Sequence, residues 1–392
     1  MNNPFGTLTP EEIGERLRKA REHANLKQAE AAEAAGMART TLVAIEQGQR
    51  KLKIDELRKF AKTYGTSVNA LMKQDAIRVD LAPKFRRLVK GDSSSIEDAV
   101  QQLTDLAQAE VELESLLGVR RDKNLPPERP IQPGDVRLQA ERDALELRQW
   151  LGLGIAPISD IITLLELELG VRVFVRRLAS QISGMFAFDD VLGACILLNA
   201  NHPKERRTQT AAHELGHLVS TRREPEVLSL NEIHNSKEER YATAFGIAFL
   251  TPARAVIQKF NEVTLGSSTL TRRHIIILAH TFNVSREAMV RRLEDLKLAR
   301  TGTWERFVEM GNITNAQAQQ VLGDLISEDT RKADANRPTT LRLALLAGEA
   351  WRRELLSEGQ LANMLRLSRL EVRQMFDGLE IEGSEANEAL PL

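Results

Sequence analysis

The stretch "TAAHELGHLV", residues 210–219, carries two histidines four positions apart with a glutamate beside the first. Residues spaced by four share one face of an α-helix, so His213 and His217 can present both imidazoles to a single ion, and zinc accepts such a pair readily. Glu214 is turned by about 100° around that helix and is set to reach water on the ion rather than the ion itself. This is the HExxH arrangement: the metal acidifies the water, and the glutamate takes its proton as the water attacks a polarised peptide carbonyl.

A catalytic zinc also needs a third protein ligand and an open position. The solution that places a third histidine at 223 fails, because that residue is Arg223. Three candidates remain: His234 in the loop-like "NEIHNSKEE", and Glu238 and Glu239 at the start of "EERYATAFGIAFLTP". Glu239 is the best placed. On a helix closed by Pro252 it shares a stripe with Ala242, Phe245, Gly246 and Phe249, whose small members permit close packing against the histidine helix. Glu238 points one helical step away, and Gly216 leaves room for a neighbouring element.

The elements that must position these residues are mostly helical. "SIEDAVQQLTDLAQAEVELESLLG" (95–118) reads as one amphipathic helix stopped by Gly118, and "RDKNLPPERPIQPGD" as an extended linker, since proline at that density blocks helix and central strand. "LQAERDALELRQWLGLG" and "PISDIITLLELELG" read as helices. The alternating β-branched runs at 171–175, 182–188 and 195–199 predict a three-stranded sheet. From Pro203 onward the pattern is helical, including 282–296, with Arg286, Arg291 and Arg292 on a basic, solvated face, and 356–376.

Residues 1–74 carry 13 Lys+Arg against 9 Asp+Glu, whereas residues 301–392 carry 10 against 15. A mildly positive head and an acidic tail fit a DNA-binding module followed by something that does not bind DNA by charge. In the head, "LKQAEAAEAAGMARTTLVAIEQG" (26–48) fits helix, tight turn at Gly36, helix, in which the second helix lies in the major groove. Arg39, Thr40, Thr41, Val43 and Ala44 then face base edges, and Gln28 the DNA backbone. The sole cysteine, Cys195, sits in the apolar run "GACILLN" and reads as a buried strand residue in a reducing compartment rather than a catalytic thiol. The chain has no run of 18 apolar residues, and its opening "MNNPFGTLTPEE" lacks the pattern of a secretion signal; both predict a cytoplasmic protein without membrane contact.

Two resemblances extend this reading. The frame "IGERLRKAREHANLKQAEAAEAAGMARTTLVAIEQGQRKLKIDELRKFAKTYGTSVNALM" resembles the Xre/Cro-type helix-turn-helix domain, with Ala38 where a capping serine is usual and Ala31 where a core leucine is usual. The stretches "AERDALELRQWLGLGIAPISDIITLLELELGVRVFV", "SGMFAF…CILLN…RTQTAAHELGHLV" and "EERYATAFGIAFLTP" resemble the ImmA/IrrE-type metallopeptidases over about 140–300, with Thr243 and Gly246 in place of the usual asparagine and alanine. That second resemblance implies His213, His217 and Glu239 as Zn2+ ligands, Glu214 as general base, and cleavage of a helix-turn-helix repressor, either a partner or this chain itself, in a stress, mobile-element or phage-defence response. It implies for 195–199 the role of an edge strand that holds an extended peptide beside the metal. The helix-turn-helix resemblance implies a double-stranded DNA operator bound by a homodimer; the trigger is left open among single-stranded DNA, metal supply and a small ligand. The alternative is a repressor or antitoxin whose peptidase-like domain is a silent sensor or dimerisation platform. The expected fold is mainly α (α+β): a helix-turn-helix head (1–76), a helical and Pro-rich linker (77–134), a zincin-like domain (135–265), a winged-helix-like extension (266–300) and a C-terminal helical domain (301–392) for which no chemistry is assigned.

Overall fold

A computed structural model of the chain describes residues 9–24, 26–64, 71, 81–85, 94–229, 236–323 and 339–379. His234 and most of the late head helix "VNALM" lie outside the described residues. The head contains α1 (Pro10–His23), α2 (Gln28–Ala34), α3 (Arg39–Glu46) and α4 (Ile54–Thr63). A capping box between Thr9 and Glu12, with Pro10 at the first position, starts α1; α3 follows Ala38, which offers no side-chain cap. Leu17, Ala31, Ala32, Leu42, Ile45 and Phe60 give the head a core of its own.

Next come α5 (Ala82–Phe85), α6 (Ser94–Leu117), α7 (Val136–Trp150) and α8 (Ile161–Leu167). The strands are β1 (Arg172–Arg176), β2 (Ile182–Asp189) and β3 (Gly193–Asn199), followed by α9 (Lys204–Ser220) and β4 (Glu226–Ser229). The chain continues through α10 (Lys237–Leu250), α11 (Ala253–Val263), α12 (Arg272–Thr281), α13 (Arg286–Asp295), α14 (Thr303–Glu309) and α15 (Asn315–Leu322). It ends in α16 (Leu341–Arg352), α17 (Glu358–Met364) and α18 (Arg369–Asp377).

The expected sheet gains a strand and changes its edge. Its order is β1-β3-β2-β4, with β1 parallel to β3 and β2 antiparallel to both β3 and β4. Residues 195–199 therefore lie inside the sheet and have no free edge for a peptide; the edge beyond β2 is β4, a strand too short for its periodicity to register.

Both faces of the sheet are buried, and this explains the unbroken apolar run in β3. Ile196 and Leu198 face a core with α7, α9 and α10, while Cys195 and Leu197 face a second core built from α6 and α16–α18. The proline-rich segment after Gly118 is extended as expected and is fastened along its length. Lys123 Nζ donates to Val191 O at 2.5 Å, Asn124 Nδ2 to Glu168 O at 3.1 Å, and the Arg129 amide to Val219 O at 2.7 Å.

Two helical readings change. Residues 356–376 are two helices, broken where Arg366 adopts φ +52°. The basic face of α13 is solvated only in part: Arg292 is buried against Glu141 and Thr251 O, and the half-buried Arg286 donates to Ile313 O at 2.6 Å, whereas Arg291 is exposed, as expected, and pairs with Glu305 at 2.6 Å.

Candidate metal centre and DNA-reading head

The metal-site helices α9 and α10 cross at a seam of small residues. A β-carbon at Gly216 would lie 2.8 Å from Ala242 Cα, and one at Gly246 would lie 3.0 Å from Ala212 C and from His213 N. No larger residue fits either position without moving a backbone. Ser236 caps α10 by accepting from the Glu239 amide at 3.1 Å, so Glu239 sits in the first turn, where the helix dipole favours a carboxylate.

The seam brings the three expected ligands together. His213 Nε2 and His217 Nε2 are 3.1 Å apart; Glu239 Oε2 lies 3.4 Å from the first and Oε1 3.3 Å from the second. Zinc bonds of about 2.0–2.1 Å in a tetrahedron separate donor atoms by roughly 3.3–3.4 Å, so the spacing fits one such ion. All three residues are buried, and three lone-pair donors this close repel one another unless a cation neutralises them. Burial raises the Glu239 carboxyl, but His213 and His217 outweigh it and hold the group well below the usual carboxylate range. Burial lowers the His217 imidazole, with Glu239 opposing.

The far nitrogen of each imidazole meets a threonine: His217 Nδ1 is 3.1 Å from Thr221 Oγ1, and His213 Nδ1 is 3.3 Å from Thr243 Oγ1. When Nδ1 carries the proton it donates to the hydroxyl, which fixes the ring and leaves the Nε2 lone pair for a metal. Thr243 thus occupies a ring-orienting place. Thr221 was not singled out from sequence, although it lies one helical turn beyond His217.

Glu214 is fully buried and faces β2. A β-carbon at Gly184 would come within 3.1 Å of Glu214 Oε1 and 2.5 Å of Thr210 Cγ2. Gly184 was not singled out from sequence, although an isolated glycine inside the strand pattern "ISGMFAF" is the signal that would have marked this close approach. A cleft of about 660 Å³ opens over His213 and Glu239, lined also by Ser183, Thr210, Leu228 of β4 and Thr243. Arg137, Arg206, Arg240, Arg291 and Arg292 line it against Asp295 and Glu239, which makes its rim basic.

In the head, Arg39 and Thr40 are exposed at the start of α3, and Thr41, Val43 and Ala44 are half-buried along it. Gln28 Nε2 donates to Glu46 Oε2 at 2.9 Å, and Arg21 Nε donates to Glu46 Oε1 at 2.7 Å. The buried Glu46 carboxylate thereby ties α1, α2 and α3 together and holds the Gln28 amide within the fold.

Residues 167–294 match the family model of the IrrE N-terminal-like domain of peptidase family M78, and residues 12–72 match a helix-turn-helix domain. No curated protein matches the chain. The crystal structure of ComR from Streptococcus suis aligns over 95% of this chain and 94% of that one, at 10% identity and a TM-score of 0.16, an overlap too loose to bear on fold or function. The chain thus joins a helix-turn-helix DNA-binding domain to an IrrE N-terminal-like domain, and the helices bearing His213, His217 and Glu239 lie within the second.

Proposed function

We propose that this protein is a transcriptional regulator with a fused zinc-dependent endopeptidase that cuts a helix-turn-helix repressor, either a partner or its own head, at a double-stranded DNA operator. The observation that carries this reading is the spacing of His213, His217 and Glu239, which fits one tetrahedral ion, with His213 and Glu239 lining an open cleft. Zinc in such a site supplies Lewis acidity, which polarises a peptide carbonyl and acidifies water. The remaining work falls to the chain. His213, His217 and Glu239 hold the ion, Thr221 and Thr243 orient the rings, and Glu214 takes a proton from the attacking water and delivers it to the leaving amine. The edge of β4, with Leu228 in the cleft wall, pairs with an extended substrate.

The head brings the peptidase to a repressor bound nearby, and covalent linkage raises the effective concentration to about millimolar. Arg39, Thr40, Thr41, Val43 and Ala44 form the DNA face, and Gln28, one of whose amide hydrogens is held by Glu46, keeps the other for the DNA backbone. A cytoplasmic homodimer, with single-stranded DNA as one trigger, completes the reading. Among the described residues no helix is long and apolar enough to cross a membrane.

One observation favours a second reading. Glu214 is sealed from solvent beneath Gly184, and a general base needs access to water. A site with bound metal and an idle glutamate would make the domain a sensor or dimerisation platform for a repressor or antitoxin. Metal content and fragment mass spectrometry of wild type and Glu214→Gln, each with DNA and a co-encoded repressor, separate the two. Cleavage lost in Glu214→Gln with zinc retained supports the peptidase; identical fragments from both proteins reject it.

A further inference from the structure

The C-terminal helices repeat the geometry of the head. In the head, α2 ends with the Ala35 amide donating to Ala31 O, Gly36 turns at φ +70° with its amide on Glu33 O, the Met37 amide returns to Ala32 O, and α3 starts after Ala38. Each landmark recurs 330 positions later (35 to 365, 36 to 366, 38 to 368). The Leu365 amide donates to Leu361 O, Arg366 turns at φ +52° with its amide on Asn363 O, the Leu367 amide returns to Ala362 O, and α18 starts after Ser368. The buried positions keep the same shift: Ala31, Ala32, Leu42 and Ile45 correspond to Leu361, Ala362, Val372 and Met375. The second unit is the better capped, with boxes at Ser357–Gln360 and Ser368–Glu371.

The same turn occurs a third time, between α12 and α13, where the landmarks fall at 282, 283 and 285. There the helix that would enter a groove is covered. Ala288 and Val290, which correspond to Thr41 and Val43, are buried, and Arg286 and Arg291 are engaged by α14, α15 and the turn between them. In α18 the corresponding face is open: Arg369, Leu370, Arg373 and Gln374 are all exposed, with Leu370 at 66%. The charge is no obstacle. Residues 357–377 hold three arginines against three carboxylates, whereas residues 27–47 of the head hold two cations against three.

We propose that residues 357–377 form a second helix-turn-helix that enters the major groove of duplex DNA through α18. Arg369, Gln374 and the partly paired Arg373 make polar contacts with base edges or phosphates, and Leu370 is placed to meet a thymine methyl. The unit shares a core with the sheet beneath the metal centre, so DNA held there is held by the same body that bears the metal. The protein then reads two DNA segments, one with the head and one with the body, and neither contact depends on peptidase activity.

The test uses the full-length protein and a pool of random-sequence duplexes, selected for binding and then titrated by fluorescence anisotropy at several salt concentrations. In one variant the head is silenced by Arg39→Ala, Thr40→Ala and Thr41→Ala. In a second, Arg369→Ala and Gln374→Ala are added, and in a third Arg369→Lys replaces the Arg369→Ala change. We expect the head-silenced protein to select a motif still, and the second variant to bind that motif on the order of tenfold more weakly for each lost base contact. Its salt dependence should be shallower by about one unit of log–log slope for each lost phosphate contact, and Arg369→Lys should restore that slope without restoring the base preference. The changed side chains are exposed apart from the half-buried Thr41, and none belongs to a core, so circular dichroism should match wild type. The proposal is overturned if the head-silenced protein selects no duplex, or selects the same motif with equal affinity after the α18 changes. Capture of another protein by α18 without any DNA binding overturns it too.

Discussion

At the residue scale the metal centre is a set of short contacts, each with its own test. Replacing Glu239 by alanine removes one of three donors, and metal analysis after dialysis should find the ion lost while circular dichroism stays unchanged. Thr243→Val keeps the shape and deletes the hydroxyl 3.3 Å from His213 Nδ1. Loss of such a partner weakens metal binding roughly 10- to 100-fold, which competition with a chelator will measure; an unchanged affinity would show that the ring is oriented by packing alone. Residue types and spacing in the sequence pointed to all three ligands. They favoured Glu239 over His234 and Glu238 through its place on a stripe of small residues; what they did not show is where the second helix starts, which Ser236 fixes by capping it. Thr221 and Gly184 escaped notice because a hydroxyl and a missing side chain carry no chemistry until a neighbour is placed beside them.

At the element scale, the close crossing of α9 and α10 depends on Gly216 and Gly246. Gly216→Val should push α10 at Ala242 away from α9, cost about 1–3 kcal/mol by overpacking, and weaken zinc binding in parallel. A stability loss without a change in metal affinity would contradict the link between seam and site. The far end of α10 is held by two buried arginines. Arg148 donates to Phe249 O at 2.6 Å, to Gly154 O at 2.8 Å and to Ala156 O, while Arg292 donates to Thr251 O at 3.1 Å. Burial pulls the Arg148 guanidinium down to about 10, which still leaves it protonated at neutral pH. Arg148→Met strands these buried carbonyls and should destabilise the protein by on the order of 3 kcal/mol in chemical denaturation.

At the scale of the whole molecule, buried charges join α6, the segment after it, β1 and α16. Arg172 bonds Glu110 at 3.1 Å and Glu114 at 2.8 Å, Arg121 bonds both glutamates, and Arg342 bonds Glu114 at 3.0 Å. Nearby Glu166 of α8 is pushed up to about 7, chiefly by burial, although Thr340 and the Arg342 amide hydrogen-bond it. Its folded pKa exceeds the unfolded 4.5, so the folded state binds this proton more tightly; the stability it contributes is complete below 4.5 and lost as pH rises through about 7. Glu114 works in the opposite sense. Burial would raise it, but Arg172 and Arg121 hold it at about 2, so its contribution is lost only as pH falls toward that value. Thermal melts from pH 5 to 8 should therefore show stability falling toward pH 8, and Glu166→Gln should flatten that slope. An identical slope in the variant would assign the effect to other groups.

Local pattern alone determined the helical character, the head's helix-turn-helix, the HExxH pair and the apolar strands, because each is written in residues a few positions apart. The sheet order, the edge strand and the fate of the basic face on α13 were decided only in three dimensions. β4 is four residues long and acquires its role by pairing with β2. The arginines of α13 meet Glu141, Glu305 and Ile313 O, the most remote about 150 positions away in the chain. The break at Arg366 was hidden for a related reason: an arginine at positive φ carries no glycine to announce the turn, and the surrounding packing of Leu361, Leu365 and Val372 enforces it.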